Sequence, residues 1–221
     1  LSWNGNKLIT GSTGGMLLTD DTAWAKKARK WSTQSREDAP WYQHEEIGYN
    51  YRMSNIIAGI VRGQLPYAEE HKKQKKAIYN RYREGLKDLP LSMNPFDKKN
   101  SEPNFWLSCL LINEEAMCPA TRGEKEETWR TEPGKSCPGE ILAALKAFNA
   151  EARPIWKPMH LQPLYRDHAF VTRNGRAGEC FKEAEDVGAD IFRRGLCLPS
   201  DNKMTPEEQN AIIEIVRRCF R

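Results

Sequence analysis

The stretch Phe105-Trp106-Leu107-Ser108-Cys109-Leu110-Leu111-Ile112 is an almost continuously apolar run that lies between Pro103-Asn104 and Asn113. Such a run, bounded by turn-forming residues, is typical of a strand that is buried on both faces. Apolar residues at helical spacing precede and follow it, so that helices and strands alternate from about residue 54 onward. This alternation predicts an α/β architecture in which helices cover a sheet.

The predicted helix before this strand is long and contains a proline. Its apolar pattern begins at Ile56 and continues past Pro66 to Leu89. We expect a kink near Pro66, because proline cannot donate the backbone hydrogen bond that a helix interior requires. After the strand, the predicted elements are a short helix at 138–149, an extended segment at 152–155, a helix marked by Phe181, Ala184, Gly188 and Ile191, a strand at 196–198, and a final helix with a capping box of Thr205 and Glu208.

The first fifty residues and one internal segment follow other patterns. Residues 8–10 and 16–19 are predicted to be two short strands around a glycine-containing turn, and 23–35 a helix capped by the preceding Asp-Asp-Thr run. Residues 40–50 are typical of an aromatic-bearing loop. Residues 114–137 are rich in Glu, Lys, Gly and Pro and lack periodicity, so we expect a mobile surface insertion there.

The composition argues against several classes of protein. The chain contains 39% hydrophobic and 29% charged residues, and no apolar run approaches the length of a membrane-spanning helix. Its net charge of +4 comes from 34 basic and 30 acidic residues that are intermixed, unlike the one-sided basic surface of a nucleic-acid-binding protein. The six cysteines include no CxxC pair, which favours reduced thiols, a cytoplasmic location and no metal site.

Several charged residues and histidines have no motif around them. We expect the cluster Lys72, Lys73, Lys75 and Lys76 to be a solvated helix face. Two acidic residues are expected to be solvated loop charges, namely Glu45 and Glu46. Three histidines are expected to be surface or structural residues, namely His44, His71 and His168.

Lys7 is the leading candidate for a catalytic residue. The run Ser2-Trp3-Asn4-Gly5-Asn6-Lys7 places a hydroxyl five residues before a lysine, with Gly5 permitting a tight turn between them. A lysine becomes a nucleophile toward carbonyl compounds when its ammonium group can lose a proton, which needs desolvation or a neighbouring cation. Spacing alone leaves two interpretations open, a reactive lysine and an ordinary solvated charge.

Four motifs resemble those of the DegT/DnrJ/EryC1/StrS aminotransferases, and they occur in the same order along the chain. These aminotransferases are pyridoxal phosphate (PLP)-dependent enzymes of fold type I. The first is the lysine motif, in which Trp3 replaces the usual Phe and Ser12-Thr13 interrupt the usual glycine run. The others are an Asn-Tyr-Arg-Met block within 48–56, followed by Gln64-Leu65, and the segments 153–163 and 194–200. The resemblance covers the chain except 114–137, but only the C-terminal half or slightly more of a family member.

This resemblance implies a fold and a domain organisation. The chain would be the C-terminal part of an aspartate aminotransferase-like transferase. Residues 1–53 would be the end of the PLP-binding large domain, and 54–221 would be a long connecting helix and the small C-terminal α/β domain.

The resemblance also implies roles for single residues. Lys7 would bind PLP covalently and act as the general acid and base, and Ser2 would hydrogen-bond the PLP phosphate. Asn50 would reach the phosphate in the partner subunit, which would make a homodimer with composite active sites a catalytic requirement. Arg52 would bind phosphate or the donor carboxylate, or else form a structural ion pair. His160 and Trp156 would contact the sugar nucleotide at its end of the active site. The structural alternative for His160 is a histidine whose hydrogen bonds go to the backbone, and that for Trp156 is a core residue.

The implied reaction transfers an amino group from glutamate to a nucleotide-linked keto sugar. The sequence of residues 153–163 resembles that of enzymes acting on UDP-4-keto-6-deoxy-N-acetylglucosamine, so the resemblance favours this sugar as the acceptor. The alternatives are a PLP-dependent sugar dehydratase of the same family, in which a histidine replaces the lysine, and a cofactor-free C-terminal dimerisation or interaction domain. The family's ring-nitrogen aspartate and its PLP-stacking aromatic residue precede the lysine, so we expect this chain alone to be inactive.

Overall fold

The computed structural model describes residues 1–94, 96–123, 125–165, 167–172, 175–176 and 186–221. They form two compact units, Leu1–Lys73 and Gln74–Arg221. The described helices are α1 (Thr22–Ser32), α2 (Asn55–Gln64), α3 (Ala68–Gly85), α4 (Pro138–Ala147), α5 (Val187–Arg194) and α6 (Pro206–Arg218). The described strands are β1 (Leu91–Met93), β2 (Ser108–Ile112), β3 (Ala120–Arg122), β4 (Glu127–Trp129), β5 (Arg153–Pro154), β6 (Val171–Thr172), β7 (Gly175–Arg176) and β8 (Gly195–Leu198).

The first unit has its small core on helix α2. Val61 is buried against Trp3 and Ile9, and the partly buried Met53 and Ile57 pack on the same cluster. These contacts tie α2 to the N-terminal residues. The boundary between the two compact units lies between residues 73 and 74, inside α3. The division after residue 53 that the family resemblance implies stays a prediction.

Helix α1 is fixed by its cap and by one acidic residue. The Asp21 carboxylate accepts hydrogen bonds from the amides of Ala23 and Trp24, as the Asp-Asp-Thr run predicts. Glu46 lies 2.5 Å from Lys27 Nζ and 3.1 Å from Lys30 Nζ, and it accepts a hydrogen bond from the Trp31 indole. These donors lower the pKa of Glu46 to about 2. The expectation of a solvated loop charge is therefore wrong for Glu46.

The predicted kink at Pro66 is a complete interruption. Helix α2 ends at Gln64, a 3₁₀ turn occupies Leu65–Tyr67, and α3 follows directly. In α3, Lys75 is half-buried, its ammonium donates to the Ser200 carbonyl, and burial lowers its pKa. The expectation that the lysine cluster is entirely solvated is wrong at this position.

The second unit contains a four-stranded sheet in the order β1-β2-β8-β5, in which every neighbouring pair is antiparallel. Leu110 of β2 lies opposite Leu196 of β8, and both are fully buried. They pack against residues of α3, α4 and α6, among them Tyr82, Ile141 and Val216. The predicted α/β class is confirmed.

The strand that the sequence places at 105–112 is shorter than expected. It begins at Ser108, and Phe105, where the predicted strand would start, adopts a left-handed backbone conformation with φ of 52° that is incompatible with a strand. In that conformation the Phe105 ring is buried, with its centroid 4.9 Å from that of Tyr79. Within β2, Cys109 and Leu111 are only partly buried, so the prediction of burial on both faces holds for one face.

The segment 114–137 is not a structureless insertion in the residues that the structure describes. Strands β3 and β4 form an antiparallel hairpin, across which the Arg122 guanidinium pairs with Glu127 at 2.9 Å. Arg122 also donates to the Phe192 carbonyl at 2.7 Å, and the side chains of Cys118 and Cys137 are buried. The amino-acid composition of 114–137 does not reveal these contacts.

The remaining elements agree with the sequence. Helix α6 carries the predicted capping box, because Thr205 Oγ1 accepts from the Glu208 amide while Glu208 Oε2 accepts from the Thr205 amide. Helix α5 matches the second half of the helix expected over 181–191, and Phe181 and Ala184 lie outside the described residues. In the described part of the chain, no helix is both long and apolar enough to cross a membrane.

Candidate active site

The first site element is residues 1–16, which we call the lysine loop. It doubles back on itself: the Trp3 amide donates to the Gly14 carbonyl at 3.0 Å, and the Gly11 amide donates to the Trp3 carbonyl at 2.7 Å. Only isolated bridges form, between Ser2 and Gly15 and between Asn4 and Ser12. The short strands predicted at 8–10 and 16–19 are therefore absent from this fully described segment.

Two glycines and one serine shape this loop. Gly14 has φ of +89°, and a Cβ atom at Gly11 would lie 2.7 Å from Ile57 Cγ2, so the loop backbone approaches α2 closely. Ser12, which interrupts the glycine run, has φ of 70°. The serine thus adopts the left-handed conformation that a glycine would adopt more easily.

Lys7 and Ser2 lie in the same loop on either side of a tight turn. The Lys7 amide donates to the Asn4 carbonyl at 3.0 Å, and this closes the turn that Gly5 was expected to permit. Lys7 is partly buried, and Ser2 is exposed, with its Oγ accepting a long 3.4 Å hydrogen bond from the Asn4 amide. Between them in sequence, Trp3 is buried and anchors the loop.

Two side chains that follow the loop in sequence hold its backbone. Gln64 at the end of α2 accepts from the Thr10 amide at 3.1 Å and donates to the Thr10 carbonyl at 2.6 Å. His71 Nδ1 lies 3.2 Å from the carbonyl oxygen of Leu8, the residue after Lys7. The lysine is therefore flanked by backbone groups with fixed partners.

Asn50 and Arg52 precede α2 on an exposed segment that runs beside the end of α1. The Tyr49 amide donates to the Trp31 carbonyl at 2.7 Å, and Asn50 forms a bridge with Thr33. Arg52 is exposed, and among the residues that the structure describes it has no ion-pair partner. The next residue, Met53, packs on Gly14, with Sδ 3.1 Å from the position of a Cβ there. The lysine motif and the Asn-Tyr-Arg-Met block are thus joined within one unit.

Trp156 and His160 belong to the second unit. Trp156 is 60% exposed and lies against Trp106 with ring centroids 5.8 Å apart, so it is not a core residue. His160 Nε2 lies 2.5 Å from Asp186 Oδ2, and its ring stacks on Phe170. The histidine is therefore paired with a carboxylate. Asp186 also caps α5 by accepting from the Ala189 amide at 2.9 Å.

Sequence reasoning missed three of these supporting residues. In sequence, Gln64 is notable only for its spacing after the Asn-Tyr-Arg-Met block, His71 is expected to be a surface or structural histidine with no assigned partner, and Asp186 has no predicted role. An aspartate before a helical pattern is a recognisable cap. Nothing in the sequence indicates, however, that Asp186 pairs with a histidine 26 residues away.

The residues of the first unit fit PLP by their chemistry. An amine reacts with the aldehyde of PLP, and hydroxyl, amide and guanidinium groups donate hydrogen bonds to phosphate oxygens. Lys7 offers the amine, and the exposed side chains of Ser2, Asn50 and Arg52 offer the donors.

Comparison with known proteins places these features in a family. The sequence profile of the DegT/DnrJ/EryC1/StrS aminotransferase family matches residues 1–217. A Bacillus subtilis (strain 168) protein named "Putative pyridoxal phosphate-dependent aminotransferase EpsN" is 37% identical over 219 residues, which are 99% of this chain and 49% of that protein. The GDP-perosamine synthase of Caulobacter vibrioides is 29% identical over 213 residues, which are 96% of this chain and 49% of that protein.

A solved structure shows the same fold. Helicobacter pylori PseC, described as an aminotransferase involved in the biosynthesis of pseudoaminic acid, superimposes with a TM-score of 0.71 at 20% identity. The match covers 96% of this chain and 50% of that one. The chain therefore spans about half the length of the relatives it matches.

Proposed function

Because the chain belongs to the DegT/DnrJ/EryC1/StrS aminotransferase family, we propose that it supplies the lysine-bearing part of a PLP-dependent aminotransferase that acts on nucleotide-linked keto sugars. The observation that carries this proposal is the lysine loop. Its backbone is fixed at Thr10 by Gln64 and at Leu8 by His71, while Lys7 remains partly accessible. A reactive amine needs this combination of a fixed position and access to its substrate.

We assign the chemistry of this half-site as follows. When bound, PLP supplies the electron sink for the carbon that carries the transferred amino group. The Lys7 amine holds the cofactor and moves a proton at that carbon, first for the glutamate donor and then for the sugar acceptor. Ser2 donates to a phosphate oxygen, and Arg52 neutralises phosphate or donor carboxylate. Lys7 also favours transamination over the dehydratase alternative, in which a histidine takes its place.

The proposal includes a homodimer with composite sites. Asn50 would then serve the phosphate site of the partner subunit, and its exposed position on the segment 48–53 is compatible with that role. A cytoplasmic location is also part of the proposal, since the five described cysteines are all free thiols.

For the sugar-nucleotide substrate we propose contacts to Trp156 and His160. An exposed indole offers an apolar face to a sugar or base, and the Asp186 partner fixes the orientation of the imidazole. We propose UDP-4-keto-6-deoxy-N-acetylglucosamine as acceptor. The relatives named GDP-perosamine synthase make a GDP-linked sugar the competing choice.

Covalent labelling tests the cofactor assignment. The purified 221-residue chain is incubated with a slight excess of PLP, reduced with borohydride, and digested for mass-spectrometric mapping. We expect the phosphopyridoxyl label mainly on Lys7 and its loss in Lys7→Ala. The matched control Lys26→Ala removes an exposed lysine of α1 and should leave the label unchanged. Equal labelling of all exposed lysines would favour the cofactor-free interaction domain instead.

Ligand binding tests the substrate. Saturation-transfer NMR with UDP-N-acetylglucosamine and with GDP-mannose should show contact for the UDP sugar, weakened in Trp156→Ala. Trp24→Ala, which removes an indole of similar exposure from α1, is the control. A preference for the GDP sugar would replace the UDP assignment and leave the aminotransferase class intact.

A further inference from the structure

Two cysteines face each other across the centre of the sheet. Cys109 of β2 is directly opposite Cys197 of β8, and their Sγ atoms are 3.6 Å apart. They are 88 residues apart in sequence. The proposed aminotransferase chemistry has no use for either thiol, so the pair requires a separate explanation.

The backbone pattern shows that this pair is suited to a covalent bond. The Cys109 carbonyl accepts from the Asn94 amide at 3.0 Å, and the Cys109 amide donates to Asn94 Oδ1 at 3.3 Å. Both backbone groups of Cys109 therefore point away from β8. Cys109 and Cys197 thus occupy a non-hydrogen-bonded position of the antiparallel pair, where Cα atoms are about 4.5 Å apart. That separation lies within the range of about 4.4 to 6.8 Å found for disulfides.

The two thiols differ in reactivity. Cys109 is partly exposed, and a hydrogen bond from Cys197 lowers its pKa, which raises the population of the nucleophilic thiolate. Cys197 is 3% exposed, and its contact with Cys109 and its burial both raise its pKa. The outer sulfur is therefore the attacking group and the inner sulfur the resolving group.

We propose that Cys109 and Cys197 form a reversible disulfide by exchange with a low-molecular-weight disulfide of the glutathione class. The Cys109 thiolate attacks one oxidant sulfur and releases one glutathione thiolate. The Cys197 thiol then transfers its proton to solvent, attacks the Cys109 sulfur of the mixed disulfide, and releases the second glutathione thiolate. Two cysteine thiols are oxidised to one disulfide, and one glutathione disulfide is reduced to two thiols.

A second cysteine pair provides an internal comparison. Cys118 and Cys137 also interact through their side chains, but both are buried, with 3% and 0% exposure. Burial raises the pKa of Cys118 to about 12. These thiols are therefore closed to the oxidant in the folded protein, whereas the pair on β2 and β8 is accessible through the partly exposed Cys109.

The bond would link the two central strands of the sheet. Strand β8 also pairs with β5, where Arg153 lies opposite Cys197, and the chain runs from β5 to Trp156. Oxidation would thus fix β8, the strand that pairs with β5 just before the segment 155–161. This inference concerns the sheet alone and does not depend on the proposed aminotransferase function.

The test is a glutathione redox titration of the purified 221-residue chain. At each ratio of oxidised to reduced glutathione, free thiols are trapped with N-ethylmaleimide, and the protein is digested without reduction. We expect a linked peptide pair containing Cys109 and Cys197, its loss after reduction, and a higher Tm of the oxidised protein. Cys118 and Cys137 should remain alkylated at every ratio when trapping is performed after unfolding.

Three variants make the outcome decisive. Cys197→Ala should stop the reaction at the mixed disulfide on Cys109, and Cys109→Ala should leave Cys197 unmodified. Cys118→Ala should oxidise as the wild type does. If either variant of the proposed pair fails to fold, the wild-type peptide map alone decides the matter. A glutathione adduct that persists on Cys109 of the wild type, or a link between Cys118 and Cys137 at lower oxidant, would overturn the proposal.

Discussion

Gln64 satisfies both backbone hydrogen-bonding groups of Thr10, accepting from its amide at 3.1 Å and donating to its carbonyl at 2.6 Å. One amide side chain can do this because it carries a donor and an acceptor side by side. The contact joins the end of α2 to the lysine loop across 54 residues of sequence. Gln64 is therefore a positioning residue, and its replacement should loosen the loop that carries Lys7.

Gln64→Glu should loosen the lysine loop. The carboxylate keeps the acceptor for the Thr10 amide but cannot donate to the Thr10 carbonyl, and we expect a loss of about 1–2 kcal/mol of stability. Hydrogen exchange of the Leu8 to Gly11 amides should quicken. Arg62→Ala, an exposed change on the same helix, is the control. Unchanged exchange in the Gln64 variant would show that the two hydrogen bonds do not hold the loop.

Trp3→Phe should be tolerated, although Trp3 is buried. The Trp3 indole N–H has no hydrogen-bond partner among the residues that the structure describes. An unsatisfied buried donor costs about 1–3 kcal/mol, which offsets the apolar area lost with the smaller ring. We expect the free energy of unfolding of Trp3→Phe to lie within about 1 kcal/mol of the wild-type value. The free energy of unfolding of Trp3→Ala should be lower than that of the wild type by about 3–5 kcal/mol. Urea unfolding followed by circular dichroism measures both.

The packing of α1 should weaken in acid through Glu46. The pKa of this carboxyl is lowered from 4.5 to about 2 by Lys27, Trp31 and Lys30. A lowered folded-state pKa means that its contribution is complete above about pH 4.5 and is lost as the pH falls toward 2. Hydrogen exchange of α1 between these pH values should rise more steeply in the wild type than in Glu46→Gln. Glu45→Gln, its exposed neighbour, should behave as the wild type.

The His160–Asp186 pair should show energetic coupling. Asp186→Asn keeps the helix cap, since asparagine caps as well as aspartate, but it removes the charge opposite the imidazole. A double-mutant cycle with His160→Gln should give a coupling free energy of about 1 kcal/mol. Asp186→Ala should cost about 1 kcal/mol more than Asp186→Asn, because the cap is lost as well. Strict additivity of His160→Gln and Asp186→Asn would contradict a direct bond.

The sequence predicts well those features that depend on near neighbours. The capping box of Thr205 and Glu208 and the cap at Asp21 follow from the chemistry of adjacent residues. The proline also locates the irregularity at Pro66, although the structure has a break between two helices there and not the predicted kink in one. The glycines of the lysine loop also indicate a turn. Its conformation, however, comes from packing on Val61 and Ile57, so the predicted strands do not form.

Features that depend on distant partners are poorly predicted. Glu46 and Lys75 look like solvent-exposed charges in sequence, but Lys27 binds the first and the Ser200 carbonyl accepts from the second. Phe105 looks like part of a strand, but it has a left-handed backbone, and its ring lies against Tyr79 of α3. The candidate site shows the same division, because motifs select Lys7 and Asn50 as candidates but do not indicate the pairing of His160 with Asp186.

The order of strands in the second unit has a consequence for the protein during its synthesis. Strand β2 has its central partner in β8, and the two are joined by a connection of more than 80 residues, as the 88-residue separation of Cys109 and Cys197 shows. Long-range pairing of this kind slows folding, because the connecting chain must be ordered before the contact stabilises it. In a nascent chain that has emerged only as far as α4, β2 therefore lacks its partner strand, and this apolar edge stays open to wrong pairing until residues 195–198 leave the ribosome.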